Sequence, residues 1–187
     1  MERRLFYERG KKMGNNNREN YHLIESLLDE HGTDLKRLAY FYVKDHALAE
    51  DILQDVFISC YKNIDNFRME SSYKTWLVKI TINKCKDTLK RWSFRNLIFK
   101  EKIRSVDIEL KSPESIFVEN EEDVFLFEQV MKLPINYREV IILFYYEELH
   151  IEEISKLLGI KENTVKTRLH RARKKLKEML KGSGMHG

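Results

Sequence analysis

The residues best equipped for specific chemistry lie in "ENTVKTRLHRARKKLKEML", Glu162 to Leu180. Between 161 and 181 nine basic residues stand against two acidic ones. At about 100° per residue, Val165, Leu169, Ala172 and Leu176 fall within about 60° of one another, which predicts an amphipathic helix with one apolar stripe. Asn163, Thr167, His170 and Lys174 then take the opposite side, with Lys166 and Arg171 flanking it. Amide, hydroxyl, imidazole and guanidinium groups on a cationic helix suit the base edges and phosphates of a nucleic acid. This is chemistry of recognition. The sequence holds no phosphate-cradling glycine loop, no His-Glu metal motif and no nucleophile elbow, and its histidines are scattered, so a catalytic reading has no residues to carry it.

A basic run by itself is more often a solvated helix face. What distinguishes this one is the segment before it, "HIEEISKLLGI". A helix-turn-helix needs a small residue where two helices touch, a glycine at the tight turn and a buried aliphatic residue early in the second helix. Ser155, Gly159 and Val165 occupy those places, and Ile154, Leu157 and Leu158 give the first helix its apolar side. That spacing reverses the balance toward DNA binding.

The elements that must position this pair follow from composition and periodicity. A chain of 187 residues holds one ordinary domain or two small ones. Charged residues make up 34%, with only two prolines and seven glycines, which points to an all-α fold. The longest apolar run, Val140 to Tyr146, is far short of the roughly 18 residues of a membrane span, and no secretory signal precedes it, so a cytoplasmic protein is expected. Cys60 and Cys85 lack metal-ligand spacing and read as reduced core residues. The first twenty residues are polar and patternless. Codons for Arg9 to Lys12 can spell a purine-rich, ribosome-binding-like run, so Met13 is an alternative start.

From Tyr21 to Phe94 four helical patterns are expected. Leu23, Ile24, Leu27 and Leu28 mark the first; Leu35, Leu38, Ala39 and Tyr42 the second. A third spans about 47 to 64 and a fourth about 73 to 92. Between 95 and 119 the periodicity fades around Pro113, which predicts a linker. Charge reverses across it, with eight basic and two acidic residues over 84–104 against one basic and seven acidic over 109–128. Two surfaces with different partners are implied.

Taken together, "ALAEDILQDVFISCYKNIDNF", "YKTWLVKITINKCKDTLKRW" and "LPINYREVIILFYYEELHIEEISKLLGIKENTVKTRLHRARKKL" resemble, in this order, the extracytoplasmic-function sigma factors, small two-domain initiation subunits of bacterial RNA polymerase. The resemblance implies a disordered extension over 1–20, a region 2 helical bundle over 21–94, a flexible linker over 95–119, a region 4 helix-turn-helix domain over 120–181 and a disordered tail over 182–187. It implies core RNA polymerase and promoter DNA as partners, an anti-sigma factor, often membrane-bound, as regulator, no cofactor and no small-molecule substrate.

The site residues follow the same resemblance. In the third helix Asp51, Gln54, Asp55 and Ile58 share a face, away from Ile52, Val56 and Ser59, and would dock on polymerase, while Phe57 belongs to the core. The loop "FRMESSYK" would catch a base flipped from the minus-10 strand, with Phe67, Arg68, Ser71, Ser72, Tyr73 and Lys74 as candidates. In the fourth helix Val78, Ile82, Cys85 and Leu89 form the apolar stripe, and Trp76, Asn83, Lys84, Asp87, Lys90 and Arg91 project elsewhere. An indole among cations suits single-stranded nucleic acid, and equally a place packed under the preceding loop. Minus-35 duplex would meet Asn163, Lys166, Thr167, Arg168, His170, Arg171 and Lys174. The family commonly starts both helices of its helix-turn-helix with Ser or Thr, whereas this chain has His150 and Lys161 there, so the second helix is expected to firm up on DNA or polymerase. The rival is a stand-alone helix-turn-helix regulator dimerising through its N-terminal helices, which leaves the third and fourth helices without a task.

Overall fold

The computed structural model describes residues 15–67, 71–98 and 121–182. Among the described residues are seven α-helices, one 3-10 turn and no strand. They are α1 (Asn15–Val43), α2 (His46–Asn63), the turn Ile64–Asn66, α3 (Tyr73–Ile98), α4 (Glu121–Lys132), α5 (Ile135–Tyr145), α6 (Ile151–Leu158) and α7 (Glu162–Gly182). The all-α expectation holds. The chain divides after Phe94 into two compact units, and no described helix is long and apolar enough to cross a membrane.

The first unit corrects two expectations. The stripes read as separate helices form one helix of 29 residues. Positions 24, 27, 28, 31, 35, 38 and 42 continue one helical period without a phase break, and the polar residues between the stripes, Glu30, Thr33 and Asp34, are its exposed face. Four helices become three. The same helix begins at Asn15, so 15–20 are not a disordered extension, and the Asn20 amide donates to the Asp65 carboxylate at 2.7 Å. Residues 1–14, with Met13, lie outside the described residues.

The hairpin from α1 to α2 turns on two residues. Lys44 adopts a left-handed φ of 57°, and its N–H closes α1 on the Tyr40 carbonyl at 2.8 Å. Asp45 then caps α2, its carboxylate accepting the Leu48 N–H at 2.8 Å. Ile24, Leu27, Leu35, Leu38 and Phe41 of α1, Ile52, Val56, Phe57 and Cys60 of α2 and Leu77, Val78, Ile82 and Cys85 of α3 are buried. Phe57 is therefore core, as read.

Both cysteines are free thiols, and burial pushes each up to about 12 from an ordinary 9.0. They are expected to resist alkylation at pH 8 in the native protein and to react on unfolding, which mass spectrometry of iodoacetamide-treated chain would read. Because the folded state holds these protons above pH 9 and the unfolded state releases them, stability should fall as pH rises from 9 toward 12.

Helix α3 continues to Ile98, past the expected linker start at 95. Arg95 and Leu97 are good helix formers, and neither glycine nor proline interrupts the chain before Pro113. Residues 99–119 of the expected linker, and 183–187 of the expected tail, lie outside the described residues.

The second unit builds its core from Phe127, Val130, Met131 and Leu133, the run Val140 to Leu143, Ile154, and the stripe Val165, Leu169, Ala172 and Leu176. Pro134 starts α5 where no N–H is needed, and its carbonyl accepts from Tyr137 and Arg138 at 2.9 and 3.0 Å. Buried Arg138 donates to the Met131 carbonyl at 2.8 Å, satisfying an end-of-helix acceptor of α4. This frame holds the helix-turn-helix.

Candidate nucleic-acid interface

Ser155 and Gly159 do more than permit close approach. Gly159 adopts φ 66° and ψ 33°, and both its N–H and that of Ile160 donate to the Ser155 carbonyl. The Ser155 hydroxyl returns a bond to the Ile160 carbonyl at 2.6 Å. One residue thus ties both sides of the turn. A Cβ at Gly159 would meet nothing within 4 Å, so substitution is opposed by the backbone alone. Gly159→Ala is expected to cost about 1–2 kcal/mol, and Gly159→Asn less, measured as thermal unfolding of the full chain. An alanine variant as stable as the unaltered chain would contradict this turn.

The two start residues behave differently from the Ser/Thr pattern. Before α6, the Glu153 carboxylate accepts the His150 N–H at 2.8 Å, one half of a capping box, and the H-x-x-E spacing was its signal in the sequence. Before α7, Thr164 and Val165 donate to the Lys161 carbonyl at 2.8 and 3.1 Å, and Glu162 places a carboxylate on the first turn. On α6 itself Lys156 and Glu152 pair at 2.7 Å, which lowers the carboxyl and raises the amine through their hydrogen bond.

Along α7, Val165, Leu169, Ala172 and Leu176 are buried, while Asn163, Lys166, Thr167, His170, Arg171 and Lys174 are exposed. Thr167 donates back to the Asn163 carbonyl at 2.7 Å, and Lys166 stands 3.9 Å from Glu162 in an exposed pair of little energetic weight. Arg168 departs from this group. It is half-buried, and its guanidinium donates at 2.9 Å to the carboxylate of Glu139 on α5. Arg173 also reaches α5, donating to the Tyr145 hydroxyl at 2.9 Å with its guanidinium 5.5 Å from the Phe144 and Tyr145 ring centres.

A groove of about 370 Å³ opens between the start of α5 and α7, lined by Asn136, Tyr137, Asn163, Thr164, Thr167, Arg168 and Arg171. Asn136, Tyr137 and Glu139 were missed by sequence reasoning. Nothing in their spacing ties them to a helix more than twenty residues on; only packing of α5 against α7 does.

In the first unit, Asp51, Gln54, Asp55 and Ile58 are all exposed on α2, Ile58 at 44%. Asp55 lies 4.0 Å from Lys84 of α3, at the outer limit of an ion pair. An exposed aliphatic side chain ringed by carboxylates suits a cationic protein surface.

At the start of α3 the rings of Phe67 and Tyr73 stack at 4.7 Å, and Trp76 lies 5.0 Å from Phe67. Trp76 thus packs against Phe67 and stays half exposed. Ser72 has a structural task, its hydroxyl accepting the Thr75 N–H at 3.1 Å as the cap of α3. Ser71, Asn83, Asp87 and Arg91 are exposed, Lys74 and Lys84 half-buried, and Lys90 pairs with Asp87 at 3.9 Å. Arg68 lies outside the described residues. No described group of three or more His, Cys, Asp or Glu side chains could hold a metal ion.

A three-helix unit with aromatic rings at the start of its last helix, followed by a helix-turn-helix unit, is the two-part arrangement that the sequence resemblance implies. Family comparison agrees: residues 27–94 match Sigma-70 region 2 and residues 126–176 match Sigma-70, region 4. The chain belongs to the extracytoplasmic-function (ECF) RNA polymerase sigma factors. It is 32% identical to the ECF RNA polymerase sigma factor SigW of Bacillus subtilis over 83% of this chain and 87% of that one. It is 33% identical to SigV of the same organism, over 84% and 91%. Among solved structures it is similar to the sigma factor RpoE of Bartonella quintana, determined in complex with the anti-sigma factor NepR, with TM-score 0.70 and 26% identity over 84% of this chain and 96% of that one.

Proposed function

We propose that this chain is a non-catalytic promoter-specificity subunit working in the cytoplasm. It binds core RNA polymerase through Asp51, Gln54, Asp55 and Ile58, holds melted minus-10 DNA along the start of α3, and reads minus-35 duplex with α7. The domain roles follow: 21–94 carries the polymerase and minus-10 functions, 120–181 the minus-35 function, with a tether between. Phosphodiester chemistry belongs to the polymerase. An anti-sigma factor that covers these surfaces controls it, as the complex of the similar RpoE with NepR supports.

The observation that carries this reading is the exposed basic face of α7 behind a turn closed by Ser155 and Gly159. Transcription with purified core polymerase tests it. Promoter-specific initiation is expected only when the chain is added, and binding of a palindromic operator without polymerase would support the stand-alone regulator instead. Within the same assay Asp51→Lys with Asp55→Lys is expected to weaken core binding at least about tenfold, because two like-charge contacts replace two attractive ones. Both sites are exposed, so the fold should survive. Unchanged core affinity would remove α2 from the interface.

A further inference from the structure

Nine basic residues crowd 161–181, and they are not equivalent. Arg168 is held by a nearly buried carboxylate of another helix in the same unit. Its partner Glu139 has a side chain only 8% exposed and precedes the buried run Val140 to Leu143. A carboxylate so little exposed is stabilised by a cation at hand, and the Arg168 guanidinium supplies one at 2.9 Å. Were Arg168 to swing toward a DNA phosphate, it would give up the 2.9 Å bond to the nearly buried Glu139 carboxylate and leave that negative charge close behind the phosphate. Both charges are negative, so the arriving strand itself opposes the exchange.

We propose that Arg168, held on Glu139, is the positioning residue of the recognition helix: it fixes how α7 seats on α5, and so which bases α7 selects, while contributing no phosphate contact. Arg168 lies one turn before Arg171 and next to Thr167, so its attachment sets where both of these point. Five residues further on, Arg173 meets Tyr145 at the far end of α5 and gives a second, more exposed hold. Two attachments along one helix resist both sliding and rolling of α7. The inference rests on the proposed minus-35 role of α7.

The test uses holoenzyme, the full chain with core polymerase, binding promoter duplexes that carry either a matched or a scrambled minus-35 element across a salt series. A residue that neutralises a phosphate contributes about 0.9 to the slope of log affinity against log salt. Arg171→Ala is expected to lose about that much slope. Arg168→Ala is expected to keep the slope while its preference for the matched element falls by about tenfold, the size of one misaimed base contact. Glu139→Gln is the sharper arm. If Arg168 touched DNA, removing the competing carboxylate would free it and tighten binding. If Arg168 positions the helix, Glu139→Gln lowers selectivity without changing the slope. Arg168→Lys, which keeps a cation within reach of Glu139, should restore part of the selectivity.

A slope loss near 0.9 in Arg168→Ala, or tighter binding by Glu139→Gln, would overturn the proposal. Should Arg168→Ala fail to fold, Glu139→Gln and Arg168→Lys still decide. An unaltered chain with no preference for any minus-35 sequence would overturn the reading of α7 itself, a result distinct from either variant outcome.

Discussion

Lys166→Ala combined with Arg171→Ala is expected to abolish minus-35-dependent initiation while leaving the protein as stable as before. Both side chains are exposed on α7 and neither contributes to the stripe of Val165, Leu169, Ala172 and Leu176. Lys166 gives up only its exposed 3.9 Å pair with Glu162, worth a few tenths of a kcal/mol at most. What the variant loses is contact with DNA. Loss of one base-edge contact at Lys166 costs about 1–3 kcal/mol, roughly 5-fold to 150-fold in promoter affinity, and loss of the Arg171 phosphate contact weakens binding further. In vitro transcription from a minus-35-dependent promoter, with thermal unfolding as the control, measures both halves. Full promoter activity in a folded double variant would remove this face of α7 from the minus-35 contact.

The second large effect concerns the ring cluster at the start of α3. Trp76→Ala is expected to reduce open-complex formation by about 5- to 150-fold, the equivalent of about 1–3 kcal/mol for one stacked base. Core polymerase binding should be retained, because Trp76 is on α3 and the acidic face is on α2. Trp76 also packs 5.0 Å from Phe67, so the alanine variant loses packing as well. Trp76→Phe keeps a ring in contact with Phe67 and separates the two effects. Permanganate reactivity of thymines in the minus-10 region reads melting, and gel filtration with core polymerase reads assembly. If the alanine variant loses core binding while the phenylalanine variant behaves like the unaltered chain, the cluster is structural.

How far each result was legible in the sequence depends on the range of the interaction behind it. The helix-turn-helix could be read because its determinants are local. Ser155, Gly159 and Val165 act within one turn and one helix period, and the hydrogen bonds found there join residues no more than five apart. The exposed face of α2 and the core place of Phe57 follow from the same helical period. Local reasoning failed where a polar segment was taken as a break: Glu30, Thr33 and Asp34 interrupt the composition of α1 without interrupting its phase. Helix propensity also carried α3 to Ile98, past the point where its apolar pattern stopped.

The resemblance and its charge placed Arg168 among the DNA readers, since nothing near it in the chain competes for a guanidinium. Glu139, 29 residues away, does compete. The same holds for Arg173 with Tyr145 and for the groove that adds Asn136 and Tyr137 to α7. Periodicity, capping and turn chemistry set the all-α class and the cationic stripe, because each acts over a few residues of one chain segment. Which of those cations face outward and which are held against α5 arose only when helices distant in sequence packed together, because a buried carboxylate takes the nearest cation in space.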